Sequence, residues 1–174
     1  MNSKDSIPDI LVIRGAPGVG KTTVAQSLSK SFKSGVVVEV DIIRSMITSL
    51  DWYDSKTHIN SIIAAKELLK AYLALNYRPV TLVDTLSGNT LDALTDGLEP
   101  YRYTVFSLIA DEQTLRQRIM HRNHGFMDYD RSFLVNALIR KSNPAGHIAI
   151  DTTHLTVDEV CRSILSILSC GVVA

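Results

Sequence analysis

The chain contains 174 residues, and at about 150 residues per domain this length predicts a single domain over residues 1–174. Eighteen Lys and Arg residues balance eighteen Asp and Glu residues, and 45% of the residues are hydrophobic, so the composition excludes a disordered or collagen-like chain. The formal charge of zero also makes nucleic acid a less favoured partner, because nucleic-acid-binding proteins usually carry a basic excess.

Several features indicate a cytoplasmic protein without a membrane segment. Residues 1–9 contain no apolar stretch of the kind found in secretory leaders, and the apolar runs at 10–13 and 36–38 are far shorter than the roughly 20 residues that span a bilayer. Cys161 and Cys170 are nine positions apart, which would place them on opposite sides of a shared helix. They could not form a disulfide there, which favours a reducing compartment.

Short apolar runs rich in β-branched residues alternate with longer segments of helical periodicity, a pattern typical of βαβ units. The short runs predict five strands, at residues 9–14, 35–40, 79–84, 103–110 and 147–150. Helices on both faces of a mostly parallel sheet would give a three-layer α/β/α sandwich.

Apolar residues at helical spacing predict the helices between these strands. The stripes are Val24, Leu28 and Phe32 after the first strand; Ile59, Ile62, Ile63, Leu69 and Leu73 after the second; and Val157, Val160, Cys161, Ile164 and Leu168 after the last. Thr156 and Glu159 form a capping-box pattern before the last stripe. Asp130 is the predicted N-cap of a further helix that ends near Lys141.

The segment after the first strand matches the phosphate-binding motif G-x-x-x-x-G-K-[ST] at every fixed position. The residues of the segment are Gly15, Ala16, Pro17, Gly18, Val19, Gly20, Lys21, Thr22 and Thr23. Glycines let the backbone N–H groups surround a phosphate, and the N-terminus of the following helix adds a partial positive charge. The motif therefore predicts that Lys21 contacts the β and γ phosphates of a nucleotide and that the Thr22 hydroxyl binds Mg²⁺. The alternative is a glycine-rich turn with a chance lysine.

Two carboxylates follow predicted strands at the edge where ligands bind in open α/β sheets. Asp84 ends the third strand, where it could hold Mg²⁺ directly or through water, or could simply cap the following turn. Asp41 ends the second strand and precedes Arg44 by three residues. Asp41 could act as a general base, with Arg44 holding the acceptor or the transferring phosphoryl group. The alternative is a helix N-cap at Asp41 with a local ion pair.

A predicted helix over residues 111–124 carries Leu115 and Ile119 on its buried edge, and Arg118 and Arg122 four residues apart on a neighbouring face. An anion between these arginines would relieve their repulsion, and residues 116–131 could form a lid over the nucleotide. The alternative is an ordinary charged helix face.

The remaining polar and aromatic candidates carry weaker signals. The histidines show no metal-ligand spacing, which favours structural or solvent-facing roles for all of them. Trp52 and Tyr53 could line an acceptor pocket, although burial in the core is the commoner reason for an aromatic residue.

These motifs together resemble the small P-loop kinases of the group that includes polynucleotide 5′-kinase domains, chloramphenicol phosphotransferase and zeta-toxin-like kinases. Asp41-Ile42-Ile43-Arg44 matches the Asp-x-x-Arg of that group, Asp84-Thr85 matches its Asp-Thr, and Arg118 with Arg122 matches its lid arginines. The resemblance implies a sheet order of 2-3-1-4-5. It also implies that adenine lies near the lid helix and residues 151–154, where Thr153 would contact it.

The expected function is an Mg·ATP-dependent phosphotransferase that moves the γ-phosphoryl group to a hydroxyl of a small molecule such as a nucleoside, a sugar or an antibiotic. Lys21, Asp41, Arg44, Arg118 and Arg122 are the predicted catalytic residues, and Thr22 and Asp84 the predicted metal ligands. The alternatives are a polynucleotide 5′-hydroxyl kinase and a nucleotide-binding ATPase or switch without acceptor chemistry. A GTPase is disfavoured because the Asn-Lys-x-Asp motif is absent from the sequence.

Overall fold

The computed structural model describes residues 7–121 and 128–170. Its strands are β1 (Ile10–Gly15), β2 (Val36–Glu39), β3 (Val80–Asp84), β4 (Tyr103–Ile109) and β5 (Ile148–Asp151). All pairings within the sheet are parallel, and the strand order is β2-β3-β1-β4-β5. The order implied by the kinase resemblance is therefore confirmed.

Helices cover both faces of this sheet. They are α1 (Lys21–Ser29), α2 (Val40–Ser45), α3 (Ser55–Ala74), α4 (Asn89–Thr95), α5 (Glu112–Met120), α6 (Tyr129–Lys141) and α7 (Val157–Ser169). One core cluster joins the sheet to α1 and α7, and a second joins it to α3 and α4. The predicted three-layer α/β/α sandwich is confirmed.

The central strand β1 shows why the apolar runs are continuous rather than alternating. Leu11 and Ile13 belong to the cluster with α1 and α7, whereas Ile10 and Val12 belong to the cluster with α3 and α4. Because both faces of a parallel strand are buried, apolar residues dominate until the strand reaches the sheet edge. Polar residues at strand ends consequently mark the edge at which a site can form.

The helix ends differ from the sequence predictions in small ways with clear physical causes. Val40 turns inward as the first residue of α2, so β2 ends at Glu39 and Asp41 lies inside the first helical turn instead of capping it. Asp128, and not Asp130, caps α6, because its side chain accepts a hydrogen bond from the Arg131 amide. The capping box of Thr156 and Glu159 is confirmed at the start of α7.

The predicted apolar stripes are mostly buried, although Ile59 and Val157 are only partly buried and two further residues depart from the pattern. Phe32 lies beyond the end of α1 and is only partly buried, and Ile63 is exposed on the outer side of α3. Both cysteines are free, with Cys161 buried and Cys170 exposed. Among the helices within residues 7–121 and 128–170, none is long and apolar enough to cross a bilayer.

Replacing Leu82 by Ala tests the core between β3 and the α3 and α4 layer. Leu82 is fully buried, so the substitution should lower the free energy of unfolding by about 2–5 kcal/mol through lost burial and a residual cavity. Leu138→Ala is the matched control, because Leu138 is 55% exposed, and its effect should stay within about 0.5 kcal/mol. Urea unfolding measures both. Equal losses for the two variants would contradict this assignment of the core.

Candidate active site

The phosphate-binding motif forms the turn between β1 and α1, as predicted for a strand, loop and helix unit. Gly20 occupies the N-cap position of α1 with φ of 97°, in the left-handed region that glycine adopts without steric cost. The start of α1 borders the same cleft as the turn, and the partial positive charge at this end of the helix makes it suited to an anion.

Close packing explains the first residue of the motif. A Cβ atom added to Gly15 would lie 2.6 Å from the Leu108 carbonyl oxygen and 2.6 Å from the Val19 Cγ2 atom. Ala16 and Val19 are buried in the core cluster with α1 and α7. Since the side chains of the turn anchor it from below, its backbone remains available above.

A cavity of about 120 Å³ lies over this turn. Its lining comes from the phosphate-binding turn, the starts of α1 and α2, and the ends of β2 and β3, and consists of Pro17, Gly18, Gly20, Lys21, Thr22, Glu39, Asp41, Val83, Asp84 and Thr85. The structure thus brings together the predicted phosphate ligand, the predicted general base and both predicted metal ligands. Arg44, Arg118 and Thr153 lie outside this lining.

The Lys21 ammonium group bridges two elements at the floor of the cleft. Its Nζ atom donates hydrogen bonds to the Ala16 carbonyl oxygen at 3.1 Å and to the Thr85 hydroxyl at 3.2 Å. Thr85 follows β3, so the lysine connects the phosphate-binding turn with the strand that carries Asp84. The positive charge is therefore held where a phosphate tail would enter.

Glu39 is a site residue that the sequence analysis missed. The Thr22 hydroxyl donates to Glu39 Oε2 at 3.3 Å, and Gln26 Nε2 donates to Glu39 Oε1 at 2.9 Å. The available signal was positional, because Glu39 stands two residues before Asp41 at the end of a strand whose neighbour also ends in a carboxylate.

Asp84 is 4% exposed and lies at the end of β3, and its Oδ2 atom is 2.7 Å from Nε2 of His58 on α3. His58 is therefore not solvent-facing, and the contact is compatible with the structural role that the sequence favoured. In the turn over residues 86–89, the Ser87 amide donates to the Thr90 hydroxyl, and the metal-binding role of Asp84 stays a prediction.

Asp41 lies on the rim of the cleft, exposed to solvent but crowded by protein groups. The surrounding protein atoms displace water from the Asp41 carboxyl, and this desolvation is the main reason that its pKa is raised above the ordinary value. The negative charge of Asp84 is the second cause of the raised pKa. The positive charges of Lys21, Arg44 and His58 only partly oppose that rise in pKa. A carboxylate of raised pKa accepts a proton more readily near neutral pH.

Arg44 is 6% exposed and lies beneath the aromatic side chain of Trp52. Its guanidinium carbon is 4.7 Å from the Trp52 ring centroid, and its Nη2 atom donates to the Trp52 carbonyl oxygen at 3.1 Å. The Nε atom of Arg44 is buried without a hydrogen-bond partner in the part of the chain that the structure describes. Trp52 itself is 42% exposed, and Tyr53 is also exposed, so burial in the core does not explain these aromatics.

The two remaining predicted nucleotide ligands lie around the loop after β5. Arg118 donates to the hydroxyl and the carbonyl oxygen of Thr152, at 3.0 and 2.8 Å. The Thr153 hydroxyl accepts a hydrogen bond from the Asp111 amide at 2.9 Å. Their contacts with a nucleotide stay predictions. Arg122, and residues 122–127 of the predicted lid, lie outside the described residues.

A family model described as an AAA domain matches residues 11–152, and the chain therefore belongs to this family. The comparison with curated proteins found no match. Several solved structures share the fold, among them the tunicamycin resistance protein of Deinococcus radiodurans, with 21% identity, a TM-score of 0.68, and coverage of 91% of this chain and 94% of that one.

Two kinases of known structure also share the fold of this chain. A gluconokinase from Sinorhizobium meliloti has 19% identity and a TM-score of 0.68, with 94% of this chain and 93% of that one covered. A sugar kinase from Janibacter has 14% identity and a TM-score of 0.71, with 91% and 93% covered. The TM-scores show a shared P-loop kinase fold, and at these low identities they show the fold alone.

Replacing Asp41 by Asn should increase thermal stability at neutral pH. Because the folded protein raises the pKa of this acid, its charged form is disfavoured in the folded state, and stability falls as the pH rises through the raised pKa. The gain from the neutral amide should therefore shrink as the pH falls toward the ordinary value of 3.8. Thermal unfolding at a series of pH values measures the difference.

Asp9→Asn provides a control of opposite sign. Although burial alone would raise the pKa of Asp9, the hydrogen bond from Arg78 and other favourable contacts lower it overall. Its charged form thus stabilises the fold above the ordinary pKa, and the amide should lower thermal stability at neutral pH. Asp41→Asn and Asp9→Asn changing stability in the same direction would contradict the electrostatic account.

Proposed function

Starting from the AAA domain family and the geometry of the cleft, we propose that the protein is an Mg·ATP-dependent phosphotransferase acting on a hydroxyl of a small molecule. The observation that carries this proposal is that Lys21 and Asp41 line one cavity from different strand ends. A phosphate tail held by Lys21 would present its terminal phosphate to Asp41. Nucleosides, sugars and antibiotics are the acceptor classes proposed.

The nucleotide would bind through its phosphates at the turn over residues 15–23. Backbone N–H groups and the start of α1 neutralise phosphate charge without moving, and Lys21 adds a full positive charge. Arg118 and Thr153 would border the base at the loop after β5, and Arg122 would add charge from the lid. The position of Arg118 supports this role, because its Nη1 atom also lies 3.4 Å from the Val19 carbonyl oxygen of the turn.

The residues of the cleft fit a magnesium ion. Mg²⁺ prefers oxygen ligands, and it is usually held by one or two protein groups together with substrate phosphates and water. The Thr22 hydroxyl and the carboxylates of Glu39 and Asp84 supply oxygen atoms around one cavity. A bound ion would neutralise charge that builds up on the phosphates during transfer.

Asp41 would accept the proton of the acceptor hydroxyl as its oxygen bonds to the γ-phosphorus and the bond to the β-phosphate oxygen breaks. ADP and a phosphorylated acceptor would leave, and the proton would return from Asp41 to solvent. Arg44 would hold the acceptor or the transferring group. Its buried Nε atom, which lacks a partner among the described residues, supports such a role.

The charge of the cleft supports a small acceptor over a nucleic-acid 5′ end. Glu39, Asp41 and Asp84 all line the cavity, and the chain carries no net positive charge. A polyanionic strand passing this carboxylate cluster would be repelled. The fold that the chain shares with a gluconokinase and a sugar kinase also supports a small-molecule acceptor.

Two substitutions separate nucleotide binding from transfer. Lys21→Ala should weaken ATP binding and turnover, because it removes the charge facing the phosphates. Asp41→Asn should leave ATP binding nearly unchanged and reduce transfer by about 10²–10⁴-fold, the usual contribution of a general base. Calorimetry measures binding, and radiolabelled ATP with a panel of nucleosides, sugars, antibiotics and oligonucleotide ends measures transfer.

Lys30→Ala is the matched control for Lys21→Ala, because Lys30 is exposed at the opposite end of α1. It should bind and turn over ATP as the wild type does. Near-normal transfer by the Asp41→Asn variant would refute the assigned base. Release of labelled phosphate without any labelled acceptor would support the ATPase alternative instead.

A further inference from the structure

His58 contacts a cleft carboxylate from outside the cavity. Its imidazole approaches Asp84 from α3, while the lining of the cavity includes Asp84 but not His58. The side chain of Asp84 is 2% exposed and that of His58 is 17% exposed, so water has little access to the contact between them. The imidazole therefore stands behind Asp84 and does not face the ligand space directly.

The chemistry of this contact fixes its direction. Where the carboxylate is ionised it can only accept hydrogen bonds, and the 2.7 Å contact then places the proton on Nε2 of His58, which donates to Oδ2 of Asp84. A donor fixed at one carboxylate oxygen limits rotation of the group about its terminal bond. The orientation of the other oxygen is then also set.

The buried guanidinium group of Arg14, next to Asp84, does not orient the Asp84 carboxylate. Arg14 is paired with Asp84 in the register of β1 and β3, yet its guanidinium donates to Ser107 Oγ at 2.7 Å and to the Leu86 carbonyl and Asn143 Oδ1 oxygens at 3.2 Å each. These hydrogen bonds all go to neutral oxygens. The imidazole is consequently the group that orients Asp84 from the α3 side.

We propose that His58 is a positioning residue that holds the Asp84 carboxylate toward the metal position beside Thr22. This inference rests on the proposed function, because it assigns His58 to the metal site of the same cleft. Hydrogen-bond donors behind metal-binding carboxylates typically contribute about 10–100-fold to metal affinity. The sequence gives no sign of this role, since His58 and Asp84 are 26 positions apart and meet only in the fold.

The test compares His58→Leu with His58→Gln. Leucine removes the donor, whereas the glutamine amide nitrogen can reach the same distance along the side chain as Nε2 of histidine. Mn²⁺ serves as the probe, titrated by electron paramagnetic resonance into protein with a non-hydrolysable ATP analogue. His58→Leu should weaken Mn²⁺ binding by about 10-fold or more, and His58→Gln should restore most of it. Binding of the analogue without metal should change little in either variant.

Lys66→Met controls for a general loosening of α3. Lys66 Nζ donates to the carbonyl oxygens of Ala93 and Asp96, so this side chain also ties α3 to its neighbours but lies away from the cleft. The variant should lose thermal stability and keep wild-type Mn²⁺ affinity. If His58→Leu does not fold, His58→Asn takes its place, because its shorter amide cannot reach Asp84 as glutamine does.

The possible results distinguish a failure of the role of His58 from a failure of the proposed function. Equal Mn²⁺ affinity in the wild type and in His58→Leu, or in His58→Asn where that variant replaces it, would overturn the role of His58. The phosphotransferase proposal would remain intact. Absence of a nucleotide-dependent Mn²⁺ site in the wild type would overturn both. Loss of Mn²⁺ affinity in Lys66→Met as large as in His58→Leu would show that the effect is only structural.

Discussion

β1 is hydrogen-bonded to β3 on one side and to β4 on the other, and this parallel register places the phosphate-binding turn beside the end of β3. Arg14 is aligned with both Asp84 and Ser107, so the chain leaves β1 at Gly15 at the level where β3 ends in a carboxylate. Since β2 also runs parallel to β3, Glu39 reaches the same edge. The meeting of phosphate-binding turn and carboxylates is thus a consequence of strand direction and order.

The cleft brings opposite charges close together. Glu39, Asp41 and Asp84 surround a single cavity with Lys21, and the proximity of Asp84 contributes to the raised pKa of Asp41. A metal ion would offset the carboxylates, and phosphates would occupy the amides and the lysine. In the proposed function, the proton affinity of Asp41 and the binding of metal and nucleotide would therefore depend on one set of charges.

Local patterns were sufficient to predict most of the framework. The motif over residues 15–23 and the capping box of α7 are local in sequence, and both form where predicted. The strand positions follow from the apolar runs, and the sheet order was available only through the resemblance to P-loop kinases. The exact helix starts were harder, because Asp128 and Asp130 could each serve as the N-cap of α6.

Contacts between distant segments could not be predicted in this way. The pairing of His58 with Asp84 depends on how α3 packs over β3, and neither residue belongs to a periodic pattern that reports it. The stacking of Arg44 on Trp52 likewise follows from the path of the chain after α2. These side chains distinguish this cleft from a bare phosphate-binding turn, and they are where acceptor and metal specificity would be set.

A crystal structure with Mg²⁺ and a non-hydrolysable ATP analogue tests the central claim most directly. The account predicts that the turn after β1 encloses the β and γ phosphates, with the Lys21 ammonium beside them and the γ-phosphorus facing the Asp41 carboxylate across the cavity. A nucleotide bound elsewhere, or a terminal phosphate directed away from Asp41, would contradict it.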